Sequence, residues 1–294
     1  MSYDIVIPAT KRNIETLRLT VKYLQKNIKH DDIIVIGKED IQQECENVLG
    51  CQFIHEDTLI PELTYENIRN MISQREPYAV HRTGWYLQQF IKFAYAIICE
   101  KDYYLIWDAD TIPIAPYSMF NEDGIPYFDI KTEFHPPYFT ILGKLFLEPV
   151  KRQIPGSFIC EHMIVKTSLM QEVIEKIQEN PMLIGNTFFE KIINQIRLCD
   201  LGASGFSEYE TYGSYVWKYH KKEYKLRHID TLRPAERFVG YDLDEKMLKW
   251  IEKYYSLITI ETERGKYQPN MRDWKKNIKN DYKRKHESQE NPAF

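Results

Sequence analysis

The run Asp102-Tyr103-Tyr104-Leu105-Ile106-Trp107-Asp108-Ala109-Asp110 is an apolar strand that ends on two carboxylates one residue apart. A strand with apolar residues on both faces belongs in a sheet covered by helices on both sides. In open α/β sheets the ligand crevice lies at the carboxyl ends of the strands, so acids placed there face a ligand. Asp108 and Asp110 repel one another. The pair therefore calls for a cation or a shared proton, and hard carboxylate oxygens favour Mg²⁺ or Mn²⁺. A polar turn in which one Asp caps the next element accounts for the tripeptide alone equally well.

The flanking sequence has the matching rhythm. Asp4-Ile5-Val6-Ile7-Pro8 reads as a buried strand closed by proline, and Ala9-Thr10-Lys11-Arg12 as the loop at its end. Leu17, Val21, Leu24 and Ile28 recur at threes and fours, which predicts a helix from Asn13 to about Ile28. Asp32 to Gly37 and Cys51 to His55 read as further strands around a short helix from Ile41 to Val48. Between His55 and Arg82 the pattern is polar and irregular, a long functional loop with a short helix near Glu66 to Ser73. Gly84 to Cys99 is again helical and leads into the Asp-x-Asp strand. Right-handed crossovers between such units imply a mostly parallel sheet.

After Asp110 the prolines at 113, 116, 126, 136, 137, 149 and 155 cut the chain into short aromatic pieces. They suit a substrate-shaped surface. Phe158 to Val165 and Lys225 to Ile229 read as strands; Leu169 to Gln178, Thr187 to Ile196, Glu208 to His220 and Asp244 to Tyr255 read as helices. The expected organisation is a catalytic domain over 1–236, with a nucleotide-binding half 1–112 and an acceptor half 113–236, followed by a helical basic extension 237–294.

A net charge of −4 argues against a dedicated nucleic-acid binder, which needs a basic surface. The 21 tyrosines and five tryptophans suit surfaces that stack on rings or offer hydroxyls. Cys45, Cys51, Cys99, Cys160 and Cys199 are odd in number and in no metal spacing, which points to reduced thiols and a cytoplasmic setting. The N-terminus runs straight into a strand, so no leader is expected. The basic segment from Arg272 to Lys285 carries Trp274, Ile278 and Tyr282 at intervals of four. Such a helix either docks its stripe on the domain or lies on an anionic membrane surface.

With this order of elements, the chain resembles the nucleotide-sugar glycosyltransferases of the GT-A fold, a Rossmann-like mixed sheet, and in particular a family of uncharacterised bacterial and viral glycosyltransferase-like proteins. The resemblance rests on Asp4-Ile5-Val6-Ile7-Pro8-Ala9-Thr10, the segment from His81 to Lys92, Trp107-Asp108-Ala109-Asp110, the stretch from Cys160 to Val165, and that from Phe206 to Gly213. It implies that Pro8, Ala9, Thr10, Lys11, Arg82, Gln88, Gln89, Asp108, Ala109, Glu161 and His162 line the nucleotide-sugar site, with Lys92 beside the two glutamines. It also implies a Mn²⁺ or Mg²⁺ on Asp108 and Asp110, with His228 as a third ligand. Lys11 and Arg82 are the candidate cations for the leaving diphosphate. Glu208 and Glu210 are the candidate bases, although Ser207 followed by two acids is equally a helix cap. The implied partners are a nucleoside-diphosphate sugar and a glycan or lipid-linked glycan acceptor, with weak peripheral membrane contact through the basic helix.

Two other functions compete. A phosphatase of the haloacid dehalogenase type also opens on a strand with Asp-x-Asp, but there the motif closes the first strand and a Gly-Thr follows. Here Thr111 follows Asp110 at once. A non-catalytic glycan-binding protein on the same fold is the third reading.

Overall fold

The computed structural model describes residues 1–261 and 271–290. The first half of the chain forms β1 (Tyr3–Pro8), α1 (Ile14–Asn27), β2 (Ile33–Gly37), β3 (Gln52–His55), α2 (Tyr65–Arg75), α3 (Thr83–Ile98) and β4 (Tyr103–Trp107). There follow β5 (Thr111–Pro113), β6 (Tyr127–Ile130), α4 (Pro136–Leu145), β7 (His162–Lys166), α5 (Thr167–Glu179), α6 (Phe188–Gln195), α7 (Leu198–Leu201) and α8 (Glu208–Tyr219). The chain closes with β8 (Lys225–His228), β9 (Thr231–Leu232), α9 (Glu236–Val239), α10 (Glu245–Ile251), β10 (Leu257–Thr259) and α11 (Trp274–Glu290).

These elements fall into two compact units. One comprises Met1–Lys11, His30–Asp108 and Met119–Ile229, the other Arg12–Lys29, Ala109–Ser118 and Asp230–Phe294. This interleaving differs from the expected boundary after residue 236, because contacts rather than chain order define a unit.

The first unit is a mixed α/β layer structure. Its sheet has the order β3-β2-β1-β4-β7, with the first four strands parallel and β7 antiparallel to β4. All of β1 and β2 is buried, as their unbroken apolar runs require. Helix α3 is apolar around most of its circumference and packs on β1, α5 and α8. Phe90 on α3 meets Phe188, Phe189 and Phe206 at ring separations of 6.1, 6.2 and 5.8 Å. A second, parallel pair, β6-β8, places Ile130 opposite His228.

The second unit packs α1, the sheet β5-β10-β9 and α9 to α11 around Tyr23, Ile112, Leu248, Ile251, Ile258 and Ile278. The stripe of α11 lies inside it: Trp274 is edge-on to Trp250 at 4.9 Å, and Tyr255 donates a 2.8 Å bond to Asp281. Arg272, Lys275, Lys276, Lys279, Lys283 and Arg284 stay exposed. No helix among the described residues is long and apolar enough to cross a membrane.

Several local expectations shift. The strand expected from Phe158 is confined to His162–Lys166, and its buried approach is irregular. Pro136 and Pro137, read as breakers, open α4, where the first turn has no backbone N–H bond to lose. The short helix expected over Ile41 to Val48 is a π-turn at Glu44–Val48.

Candidate functional site

Strand β4 delivers Asp108 to the carboxyl end of the sheet, and three side chains of the same unit meet it there. The Lys92 ammonium, on α3, donates to Asp108 Oδ1 at 2.5 Å, to Glu208 Oε1 at 2.6 Å and to the Tyr209 hydroxyl at 3.1 Å. Tyr209 in turn donates to Asp108 Oδ1 at 3.0 Å. The side chains of Lys92 and Glu208 are 2% and 4% exposed, whereas that of Asp108 is 29% exposed, so Asp108 is the member of the group that reaches solvent. Burial by itself pulls the Lys92 ammonium toward neutrality, but the two carboxylates outweigh it and raise its pKa. Burial pushes the Glu208 carboxyl up, with Lys92 opposing.

Strand β7 begins beside this group. The Asp108 N–H donates to the Glu161 carbonyl at 2.9 Å, and Trp107 pairs with His162 across the ladder. Glu161 holds φ 57°, a left-handed conformation rare for a residue with a side chain, and its buried carboxylate takes the Lys131 ammonium. His162 Nε2 lies 2.9 Å from Asp129 Oδ2, and Arg227 clamps the same carboxylate at 2.6 and 2.9 Å. Burial alone would raise Asp129; Arg227 and His162 hold it well below the usual carboxylate range.

Arg82 caps the other end of α3. Its guanidinium stacks on Trp85 at 4.2 Å and donates to Ser204 Oγ at 3.3 Å, while its buried Nε has no partner. Among the described residues it makes no ion pair with a carboxylate. Tyr138 also bonds Ser204, and burial pushes its hydroxyl up to about 12.

The remaining expected residues are placed less uniformly. Pro8 and Ala9 are buried at the end of β1, and Thr10 and Lys11 are exposed just beyond it. Gln88 is half-buried. Gln89 is buried with its Oε1 accepting the Glu208 N–H at 3.3 Å. Glu210 is 1% exposed, and its carboxylate accepts from Ser157, the Phe158 N–H and Ser214 at 2.8, 3.2 and 2.9 Å. Its N–H is capped by Ser207 Oγ at 3.2 Å, so the capping expectation for this turn holds. Ala109 and Asp110 belong to the second unit, where the Ala109 carbonyl accepts from Thr20 at 3.0 Å and the Asp110 carbonyl from Ile260 at 3.0 Å.

The expected metal set is not assembled. Among the described residues no three His, Cys, Asp or Glu side chains are grouped to hold an ion. His228 stands exposed on β8, tied to the β6 pair, and Asp108 Oδ1 already carries an ammonium and a hydroxyl. A cavity of about 600 Å³ lies in the second unit, lined by Tyr23, Lys26, Ile114, Glu245 and Lys249 among others, and holds none of the expected site residues.

Tyr209, Lys131, Asp129 and Arg227 emerge as contributors only here. Lys92, expected beside the two glutamines, is instead taken up by carboxylates, and its signal was readable: it is the lone charge on a mostly apolar helix, and a lysine so placed needs a carboxylate.

No curated protein matches the chain. Among solved structures, mouse xyloside xylosyltransferase 1 in its apo form is similar at 12% identity, with a TM-score of 0.41 over 77% of this chain and 85% of that one. A family model described as a family of unknown function, DUF6492, matches residues 3–263, most of the chain, and the protein belongs to that family.

Proposed function

We propose that this protein is a glycosyltransferase of the GT-A type, moving a sugar from a nucleoside-diphosphate sugar to a hydroxyl of a glycan or lipid-linked glycan. The observation that carries the reading is Asp108: a solvent-reaching carboxylate at the carboxyl end of a parallel strand, fixed by Lys92 and Tyr209. A carboxylate so placed accepts sugar hydroxyls, and its rigid partners keep it oriented.

In the transfer, the bond between the anomeric carbon and the diphosphate oxygen breaks, its electron pair leaving with the diphosphate. The acceptor oxygen bonds the same carbon and gives up its proton. Arg82, stacked and without a carboxylate partner, is assigned to the departing diphosphate, with Lys11 as a second, exposed cation. Glu208 is the assigned base rather than Glu210, because it shares Lys92 with the solvent-reaching Asp108. Glu210 is fully engaged by hydroxyls and an amide. The exposed cations of α11 are assigned to a peripheral contact with an anionic membrane carrying the acceptor.

Thermal shift with UDP-, GDP-, CMP- and dTDP-sugars, with and without Mn²⁺, tests the reading. One nucleotide family is expected to stabilise the wild type and to lose that effect in Asp108→Asn. Hydrolysis of an aryl phosphate without any nucleotide-sugar shift would favour the phosphatase instead.

A further inference from the structure

Of the phenylalanines among the described residues, Phe134 alone is exposed, at 55%. Its ring stacks on that of Phe139 at 5.3 Å with 21° between the planes. The Arg152 guanidinium lies 4.6 Å from the Phe134 centroid and 5.9 Å from that of Phe139. Two carbonyls orient Arg152, those of Pro155 and Gly156, with Nε 3.4 Å from the Gly156 oxygen. Carbonyls fix a guanidinium but leave its charge whole. Among the described residues no carboxylate pairs with Arg152, and its Nη1 donates no hydrogen bond. An aromatic pair kept out of the core, with a cation kept out of an ion pair against it, marks a recognition surface.

The segments that carry these side chains are tied to the candidate site on either side of Phe134. The Lys131 N–H donates to the Ser157 carbonyl at 3.0 Å, and the Ser157 N–H to that of Lys131 at 2.8 Å. Gly156 lets the two strands of chain close, since a Cβ there would stand 2.3 Å from the Lys131 carbonyl oxygen. The Lys131 ammonium holds Glu161, whose own carbonyl accepts the Asp108 N–H. Beyond Phe134, His135 Nε2 lies 2.9 Å from the Ser204 carbonyl, and Ser204 Oγ accepts from Arg82. Phe134 is three residues from the first tie, so its Cα stands within about 11 Å of that of Lys131. The surface adjoins the site and takes no part in the group around Asp108.

We infer that Phe134, Phe139 and Arg152 form a docking surface for the acceptor, and that the acceptor is an acidic glycan, bearing a carboxylate or a phosphate. This rests on the glycosyltransferase reading above. The C–H face of a pyranose is flat and apolar and lies on an aromatic ring while the hydroxyls stay in water. Arg152 Nη1 carries two N–H donors for an anionic oxygen on the same or the next sugar. A neutral glycan leaves that charge unanswered, and so does a stacked nucleobase. With the sugar of the donor assigned to Asp108 and its diphosphate to Arg82, the acceptor is the partner that remains.

The test is an array of neutral, uronate-bearing and phosphate-bearing oligosaccharides probed with the full chain and with Phe134→Ala, Phe134→Tyr and Arg152→Gln. The wild type is expected to bind acid-bearing members and to leave their neutral counterparts, and which acids it binds names the anion. Arg152→Gln should weaken those glycans by about tenfold, the loss of hydrogen bonds between charged groups. Phe134→Ala should weaken them too, and Phe134→Tyr should keep them, because tyrosine restores the ring face. Neutral glycans bound as tightly as acidic ones, no glycan bound, or binding untouched by both Phe134→Ala and Arg152→Gln each overturns the inference. Thermal shift by nucleotide-sugars is read on the same proteins. If the wild type shows that shift while the array fails, the inference falls alone; if both fail, the glycosyltransferase reading falls with it. Phe134 and Arg152 are exposed, so the variants should melt close to wild type, and should Arg152→Gln fail to fold, the Phe134 pair decides the outcome by itself.

Discussion

Lys92, the one charged side chain of α3, holds its Nζ 2.5 Å from Asp108 Oδ1. One ammonium thereby bridges two acids, one just past β4 and one opening α8, that lie 100 residues apart in the chain. Replacing it with methionine preserves length and removes the charge. Lys92→Met is expected to cost about 3–5 kcal/mol, because Glu208 is left buried and unpaired. The double variant Lys92→Met with Glu208→Gln should recover part of that loss. Urea denaturation of the wild type, both single variants and the double variant measures it, and strict additivity would argue that the bond contributes nothing.

Asp129 gives the protein an acid limit. Its pKa in the folded state lies below the ordinary 3.8, so its contribution is complete above that value and fades as pH falls through the folded pKa near 2. Asp129→Asn should be less stable than wild type by about 3–5 kcal/mol near neutrality, and the gap should narrow across that acid window. Denaturation curves at successive pH values check this; a gap independent of pH would remove the assignment.

Gly213 lies in α8, where a Cβ would stand 2.3 Å from Phe158 Cγ. Alanine is the better helix former, yet Gly213→Ala is expected to destabilise by about 1–3 kcal/mol, since the helix or the ring must move. On the proposed function, the same shift would displace Glu208 and Tyr209 and weaken nucleotide-sugar binding beyond the stability loss. Calorimetry at a temperature where both proteins are folded separates the two effects.

Chelation should leave the ligand-free protein unchanged. With no group of three candidate ligands among the described residues, prolonged EDTA treatment is expected not to lower the melting temperature. A large fall would reveal a resident ion held by some other arrangement.

The strands and crossover helices were legible because their apolar runs are continuous and their periods distinct: β1, β2 and β4 fall where Asp4 to Pro8, Asp32 to Gly37 and Tyr103 to Trp107 are unbroken. The Asp-x-Asp placement was legible for the same reason. What local pattern cannot show is which distant charges meet. Glu161 with Lys131 and Asp129 with Arg227 are pairs separated by 30 and 98 residues, and nothing near either partner announces the other. The short strands β5, β9 and β10 carry two or three residues each, too few for a period to appear, and they are made by tertiary pairing.

The path of the chain through the two units has a bearing on heredity. Because helix α1 and strand β5 find their partners among residues beyond 230, the last fifth of the sequence is no appendage that recombination can trim or exchange. A gene fragment ending before it would encode an amphipathic helix and an edge strand with their apolar faces bare. The second unit therefore needs both the early and the late segments of one chain, and a gene that encodes it has to keep them together.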